Sequence, residues 1–344
     1  MEKKRILFMC GSLNQTTMLH KISLHLTDYE HYFSAYYSDG AERLAAKAGF
    51  LDFSVLGGKF RKQTEKYLNE NNLKVDYEGK KYDYDLVVVC SDLIVPKNIR
   101  NKKIVMVQEG MTDPENIFYH LVKKVKIIPR YFGGTATTGL SDCYNYFCVA
   151  SENYKKLFIR KGVKAEKIIV TGIPNFDNCI EFKTNDFPHK NYALVCTSDS
   201  RETYKYENRK AFILKALKLS ENKQIIFKLH PNENEKNASK EINKHAPGSL
   251  IFSSGNTDHM IANCDILITR YSSVVYVGLA LGKKVYSEFD LDELKKLMPL
   301  QNNGTSAKNI AEICIAILEK KPVAINEFIS HENDSDLAIN YQTL

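Results

Sequence analysis

The sequence has no tryptophan, little proline and glycine, and no apolar run long enough to cross a membrane. Its 344 residues include nine Pro and 17 Gly. The longest apolar runs, such as 86–90, have the length of one buried strand. The eight Cys are scattered, and no two have CxxC spacing. These absences argue against collagen, intrinsic disorder, a membrane span, a disulfide framework and a zinc site.

Charge is nearly balanced, with 48 Lys and Arg against 41 Asp and Glu and a net charge of +7. This surplus permits an anionic ligand or an anionic membrane surface and requires neither. The basic and apolar segment 121–132 fits contact with a membrane or an anionic acceptor, or else a solvated basic face. Its basic part, 121–126, lacks the interleaved aromatic residues of nucleic-acid binders, so no nucleic-acid partner is expected.

The apolar stretch near the start, 6–10, stops at Gly11 without the small-residue cleavage site of a signal peptide. It therefore predicts a first β-strand. We expect a cytoplasmic protein, with peripheral contact at the inner face of the membrane left open.

Short apolar segments alternate with amphipathic segments along the chain, which is typical of an α/β protein with parallel sheets. Strands are predicted at 5–10, 32–36, 86–90, 104–108, 146–150, 168–171, 192–196, 224–229, 250–252, 264–269 and 284–286. Helices are predicted at 41–48, 60–71, 154–161, 207–219, 235–245, 274–281 and 307–320.

The pattern restarts at Tyr192 after a polar stretch, which indicates two successive α/β units. We predict an N-terminal domain over 1–182, a C-terminal domain over 183–325 and a polar tail over 326–344. Open parallel sheets bind ligands at the carboxyl ends of their strands, so the expected site is a cleft between the two sheets.

Arg270, Ser272 and Ser273 lie between the strand predicted at 264–269 and the helix that follows. The first N–H groups of a helix are free and lie at the positive end of its dipole, where a phosphate can bind. The two hydroxyls would add donors, and Arg270 would add a bidentate clamp. The alternative is that Ser272 only caps the helix.

His230 ends a predicted strand that Pro231 prevents from continuing. A histidine there could donate to a phosphate or move a proton near neutral pH, or it could only bond a loop carbonyl. Glu109 follows the strand at 104–108 and precedes Gly110. Its carboxylate could deprotonate an acceptor hydroxyl, or it could be a solvated loop acid.

Gly11 and Ser12 follow the first strand, where a glycine lets the backbone approach a ligand or a helix, although no GxGxxG fingerprint is present. Arg201 follows the first strand of the second half and could reach an anion, or form a surface ion pair with Glu202. P-loop, HExxH and GxSxG motifs are absent. The Asp-x-Asp triplets are not placed to hold a metal against a diphosphate, so neither metal nor cofactor is expected.

Taken in order, several segments resemble the GT-B glycosyltransferase superfamily, especially the branch of the UDP-N-acetylglucosamine 2-epimerases. The segments are 85–92, 105–111 with its glutamate–glycine turn, 147–174, the arginine–glutamate pair at 201–202, 229–232 and 265–285. Asp199 stands where the epimerases have a histidine, and a tyrosine–serine–serine turn replaces their phosphate turn. With His230-Pro231 and this tyrosine–serine–serine turn, the second half is more similar to CDP-glycerol glycerophosphotransferases and capsule glycosyltransferases.

The resemblance implies two Rossmann-like domains that face a central cleft. It also implies a metal-independent transferase in bacterial surface or capsular polysaccharide synthesis. The donor would be a nucleotide-activated sugar or polyol, UDP- or CDP-linked, and the acceptor a glycan or a lipid-linked molecule. Glu109 and His230 would be catalytic, and the donor-binding residues would be Arg201, Arg270, Ser272, Ser273, Gly172, Gly11 and Ser12.

Two other functions stay open from the sequence. One is a UDP-N-acetylglucosamine 2-epimerase or hydrolase, in which Glu109 would remove a proton from the sugar. The other is a non-catalytic partner that binds a nucleotide sugar in a polysaccharide assembly complex.

Overall fold

A computed structural model describes residues 3–323 except 53, 126, 204 and 205. The predicted tail, 326–344, lies outside the described residues. Within them, eleven strands and eleven α-helices follow one another. The strands are β1 Arg5–Cys10, β2 Glu30–Ala35, β3 Leu86–Val89, β4 Lys103–Val107, β5 Tyr146–Val149, β6 Ile168–Val170, β7 Ala193–Cys196, β8 Ile225–Lys228, β9 Leu250–Phe252, β10 Ile266–Ile268 and β11 Lys284–Tyr286.

The helices cover the two faces of the sheets and connect their strands. They are α1 Leu13–Ser23, α2 Gly40–Lys47, α3 Gly58–Glu70, α4 Ile117–Lys124, α5 Glu152–Lys161, α6 Arg209–Leu219, α7 Glu235–His245, α8 Thr257–Asn263, α9 Val274–Ala280, α10 Leu291–Lys296 and α11 Ser306–Glu319. A 3-10 segment, Arg130–Thr137, follows α4.

The strands form two parallel sheets, with the orders β2-β1-β3-β4-β5-β6 and β11-β10-β7-β8-β9. Their central strands are continuous apolar runs because both faces of the sheet are covered, and all four residues of β3 are buried. The strand order reverses beside β1 in the first sheet and beside β7 in the second. Ligands of open α/β sheets bind at such switch points, so the ends of β1 and β7 are the expected site.

The predicted α/β fold with two parallel sheets is confirmed, and each predicted strand is present within a few residues of its expected ends. The predicted helices do not include α1, α4, α8 or α10. Apolar residues of α4 lie on both its buried and its exposed sides, so no single stripe stands out. Helix α8 has only seven residues, too few to establish a period.

The last helix, α11, packs on α1 beside the first sheet. Tyr29 Oη donates to Glu319 at 3.5 Å, and Lys4 donates to the Leu318 carbonyl. Asp177, which follows β6, caps the helix by accepting from the Ser306 N–H at 2.7 Å. The domain boundary at 182/183 stays a prediction. That boundary assigns α11 to the second domain, but α11 contacts the first domain.

The two halves also contact each other directly. The hydroxyls of Tyr154 in α5 and Tyr276 in α9 lie 2.6 Å apart in the buried interior. Lys59, at the start of α3, donates to the carbonyls of Asn232 and Glu233 at 2.9 and 3.2 Å. The first contact joins a helix of each half, and the Lys59 contacts join the loop after β8 to the first half.

Within residues 3–323, apart from the four omitted positions, no helix is long and apolar enough to cross a membrane. All eight cysteines are free, and seven of them are buried. Burial raises the pKa of the Cys10, Cys148 and Cys196 thiols to about 12.

Lys161 is a buried lysine at the end of α5. Its side chain is only 2% exposed, and Nζ donates to the Ala136 carbonyl at 2.9 Å. The ammonium lies 5.7 Å from the centre of the Tyr119 ring. Burial lowers the pKa of Lys161 from 10.5 to about 8, because the charged form loses its hydration.

This lysine should make stability depend on pH. Between pH 8 and 10.5 the unfolded chain keeps a proton on Lys161 that the folded chain has released. The free energy of unfolding should therefore rise with pH across this window, by about 3 kcal/mol from this residue. We expect Lys161→Met to remove that rise, measured by urea unfolding at both ends of the window. Lys156→Met, at an exposed position of α5, should keep it, and an unchanged rise in Lys161→Met would contradict the assignment.

Candidate active site

Glu109 lies at the carboxyl end of β4, directly after the buried Gln108. The Gln108 side chain fixes the turn at 108–110 through two hydrogen bonds. Its Nε2 donates to the Gly110 carbonyl at 2.7 Å, and its Oε1 accepts from the Ala150 N–H at 2.9 Å. The turn thereby presents the half-buried Glu109 carboxylate toward the start of α1.

Two side chains at the start of α1 hold this carboxylate. Ser12 Oγ donates to Oε1 of Glu109 at 2.7 Å, and Gln15 Nε2 donates to Oε2 at 2.5 Å. Gly11 leaves room for Gln15, because a Cβ on Gly11 would lie 1.9 Å from Gln15 Oε1. Each carboxylate oxygen keeps a second lone pair, so Glu109 is oriented and can still accept a proton.

His230 lies at the carboxyl end of the second sheet, just after β8. Its Nδ1 accepts from the Asn232 N–H at 3.2 Å, and Asp199 Oδ2 lies 3.5 Å from the same nitrogen. An acceptor at Nδ1 leaves the proton of the neutral ring on Nε2. Among the described residues Nε2 has no hydrogen-bond partner, and the side chain is 36% exposed. The ring can therefore donate to a ligand in the adjoining open pocket of about 450 Å³.

A buried cluster of ionic groups supports the His230 loop. Glu233 Oε2 accepts from the His230 N–H at 2.7 Å, while Oε1 lies 2.7 Å from Arg209 Nη2. Arg209 also donates to Glu207 and, at 2.9 Å, to the Ser198 carbonyl. The side chains of Arg209, Glu207 and Glu233 are at most 1% exposed. The cluster links the loops that follow β7 and β8.

Ser272 and Ser273 precede α9, as the sequence predicts. The amide of Val274 lies 3.5 Å from Ser272 Oγ, at the limit of a hydrogen bond, and Ser273 makes no side-chain cap bond. Both hydroxyls therefore remain able to donate to a ligand. Across the cleft, a Cβ built on Gly110 would lie 3.5 Å from Ser273 Cβ. The structure thus brings the turn of Glu109 against the serine turn of the second half.

The two predicted arginines have carboxylate partners. Arg270 Nε donates to Glu288 at 3.1 Å, and its Nη1 lies 3.8 Å from Glu207. Arg201 pairs with Glu241 of α7 at 2.8 Å, so it forms a surface ion pair, as one of the two alternatives has it, with a different acid from Glu202. A diphosphate would have to compete with these acids for the two guanidinium groups. Binding of the nucleotide-linked donor by Arg201 and Arg270 stays a prediction.

Gly172 has a packing role in the structure. Its φ of +72° is in the left-handed region, and a Cβ there would lie 2.2 Å from Ser306 Oγ at the start of α11. The need for glycine at this position is explained by that contact, and binding of a donor stays a prediction.

Sequence reasoning missed Gln15 and Lys59. Gln15 lies in a helix that the sequence does not predict. One of its side-chain atoms, Oε1, is buried and has no hydrogen-bond partner in the part of the chain that the structure describes. Lys59 looks like a solvated helix residue, and only the fold shows that it reaches the loop after β8. It also lines an open pocket of about 460 Å³ together with Asp199 and Asn232. In the part of the chain that the structure describes, no group of three or more His, Cys, Asp or Glu is placed to hold a metal ion.

Two parallel α/β sheets that face a shared cleft, with polar side chains at both switch points, define a GT-B-like protein. Comparison with family models gives the narrower assignment. The model "CDP-Glycerol:Poly(glycerophosphate) glycerophosphotransferase" matches residues 100–285, more than half of the chain, and the chain belongs to this family. The sequence of the chain matches none of the curated proteins with which it was compared.

Solved structures with the same fold include epimerases and a polymerase. The UDP-GlcNAc 2-epimerase from Neisseria meningitidis has a TM-score of 0.57 at 12% identity, over 92% of this chain and 100% of that chain. The wall teichoic acid polymerase TagF has a TM-score of 0.53 at 11% identity, over 92% of this chain and 89% of that chain. The UDP-N-acetylglucosamine 2-epimerase from Rickettsia bellii has a TM-score of 0.51 at 11% identity, over 93% of this chain and 97% of that chain. At these identities the likeness concerns the fold.

Proposed function

We propose that the protein transfers a polyol phosphate or a sugar from a nucleotide-linked donor to an acceptor hydroxyl. The acceptor would be a glycan or a lipid-linked molecule in the synthesis of a bacterial surface polymer. One observation carries the proposal: the oriented Glu109 carboxylate lies in the turn that packs against Ser273, which brings a carboxylate able to accept a proton next to hydroxyls able to donate to a phosphate. Membership of a glycerophosphotransferase family supports the same class of reaction.

The chain's own residues would supply the proton acceptor and the donors. Glu109 would take the proton from the acceptor hydroxyl as its oxygen attacks. If the oxygen attacks phosphorus, the bond to the bridging oxygen breaks and a nucleoside monophosphate leaves. If it attacks the anomeric carbon, a nucleoside diphosphate leaves. In both cases charge grows on the leaving phosphate, where His230 Nε2–H and the hydroxyls of Ser272 and Ser273 can donate.

The identity of the released nucleotide tests the proposal. CDP-glycerol and UDP-N-acetylglucosamine are incubated with the protein in EDTA, with and without soluble and lipid-linked acceptors, and nucleotides are separated by chromatography. We expect release that needs an acceptor, and His230→Ala should lower it about a hundredfold.

The controls separate the other functions. His245→Ala changes a histidine at the far end of α7 and should leave release unchanged. Isomerised or free sugar from the donor alone would instead indicate an epimerase or hydrolase. Binding of a donor without turnover, in the presence of every acceptor, would indicate a non-catalytic partner.

A further inference from the structure

Helix α3 is fixed against the turn that orients Glu109. Near the middle of the helix, the buried Thr64 donates through Oγ1 to the Gly11 carbonyl at 2.8 Å. Gly11 belongs to the turn that leads into α1, and Ser12 and Gln15 at the start of α1 hold the Glu109 carboxylate. The position of α3 and the position of this carboxylate are therefore linked inside the first half.

The first turn of the same helix contacts the other half of the protein. Lys59 Nζ donates to the carbonyls of Asn232 and Glu233, at 2.9 and 3.2 Å, in the loop after β8. Lys59 lies five residues before Thr64, and an α-helix rises 1.5 Å per residue. The two contacts are thus about 7.5 Å apart along one rigid element.

The turn before α3 determines where Lys59 lies. Gly58 has a φ of +56°, in the left-handed region, and a Cβ there would lie 1.9 Å from the Asp52 carbonyl oxygen. Asp52 Oδ1 also accepts from the Gly58 N–H at 3.0 Å, which occupies one of the amides left free at a helix start. The backbone that carries Lys59 is consequently packed closely on the preceding loop.

Asn232, which accepts from Lys59, is the residue that orients the His230 ring. Its N–H donates to His230 Nδ1 at 3.2 Å, and its side-chain Nδ2 donates to Asp199 Oδ2 at 3.0 Å. If Asn232 moved, Nδ1 would lose its donor, and either ring nitrogen could then carry the proton of the neutral ring. The Nε2–H that faces the open pocket thus depends on the position of Asn232.

We propose that Lys59 is a positioning residue that aligns His230 with Glu109 across the cleft. Helix α3 is the common reference: Thr64 connects it to the turn of Glu109, and Lys59 connects it to the loop of His230. The consequence for catalysis rests on the proposed function, whereas the orientation of the ring does not. A misplacement of about 1 Å can lower the rate of a reaction about a hundredfold, so this alignment matters for transfer.

The tautomer of His230 tests the alignment without any substrate. Nitrogen–proton correlation spectra of the histidine rings are recorded at about pH 8, where an ordinary imidazole is neutral, and His230→Ala identifies the resonance. We expect the Nε2–H tautomer in the wild type and a mixture of both tautomers in Lys59→Met. Lys59→Arg keeps donors on a long side chain and should restore most of the wild-type signal. An unchanged signal in Lys59→Met overturns the proposal, whatever the turnover.

Turnover measures the consequence for the reaction. Nucleotide release is followed at saturating acceptor with the donor varied, and calorimetry gives the affinity for the donor. We expect Lys59→Met to lower kcat about tenfold, less than His230→Ala, because the ring is misplaced and not removed. The affinity for the donor should stay within about twofold, and Lys59→Arg should recover most of kcat.

A matched control uses the same change elsewhere on α3. Lys66 is exposed and pairs with Glu70 at 3.6 Å, so Lys66→Met should leave both the ring signal and kcat unchanged. Lys59 is exposed as well, and all variants should keep the melting temperature. A fall in melting temperature that Lys59→Arg does not reverse would show a structural role and overturn the proposal.

The outcomes separate this proposal from the proposed function. A changed ring signal with kcat within about twofold of the wild type would overturn the role of Lys59 in the reaction. So would a donor affinity that falls as far as kcat, because Lys59 would then bind the donor. If the wild type turns over no donor, the proposed function fails, and the ring signal alone decides whether Lys59 positions His230.

Discussion

Replacing Glu109 with glutamine should lower kcat about a thousandfold, while the donor still binds with unchanged affinity. The glutamine has the same shape, and its amide can keep both neighbours, with its oxygen toward Gln15 and its NH2 toward Ser12. What it loses is the ability to accept the acceptor's proton, and a positioned general base contributes typically 10²–10⁴-fold. Nucleotide release measured at saturating donor and acceptor gives the change in kcat, and calorimetry gives the affinity for the donor.

The same chemical change six residues further along serves as the control. Glu115 lies in the exposed part of the loop after β4, and Glu115→Gln should leave kcat within about twofold. If Glu109→Gln keeps kcat within about threefold of the wild type, Glu109 is not the base. If it loses affinity for the donor as strongly as kcat, the residue acts in binding.

Replacing Arg209 with methionine should lower the free energy of unfolding by about 3–5 kcal/mol. The change removes the partner of Glu207 and Glu233, whose side chains are completely buried. Glu233 would then lose the cation that lies 2.7 Å from its Oε1, and Glu207 would keep the longer contact with Arg270 at 3.8 Å. A carboxylate in the interior is costly when its charge is poorly paired. Urea unfolding at neutral pH measures the loss.

Two further variants make this result specific. Lys210→Met, at the exposed next position of α6, should change stability by less than about 0.5 kcal/mol. Adding Glu207→Gln and Glu233→Gln to Arg209→Met should recover part of the loss, because the stranded charges are removed. A loss below about 1 kcal/mol in Arg209→Met alone would show that the cluster does not stabilise the fold in this way.

The sequence predicts those parts of the fold that depend on the residues of one short segment. A central parallel strand such as β3 is buried on both faces, so it appears as an unbroken apolar run. The strand-end rule then selects Glu109, His230, Ser272 and Ser273, and the structure places all four at the carboxyl edges of their sheets. Local pattern and topology are sufficient for these residues.

The remaining features depend on residues far apart in the chain. Arg201 pairs with Glu241, and Arg270 pairs with Glu288, and no local pattern selects one acid among 41. The contact of Lys59 with the loop after β8 joins positions 173 and 174 residues apart. The pattern of α11 predicts a helix and does not say which sheet it covers.

The position of α11 means that the chain passes between the halves twice, once after β6 and again between α10 and α11. A single cut near residue 183 would consequently not yield two independent folding units, because the first would lose the helix that covers α1. The two crossings also limit how the cleft can open. Rotation about the line that joins them stretches neither connection, whereas sliding or separation of the halves stretches both. If the cleft opens and closes, we therefore expect the motion to be a swing about that line.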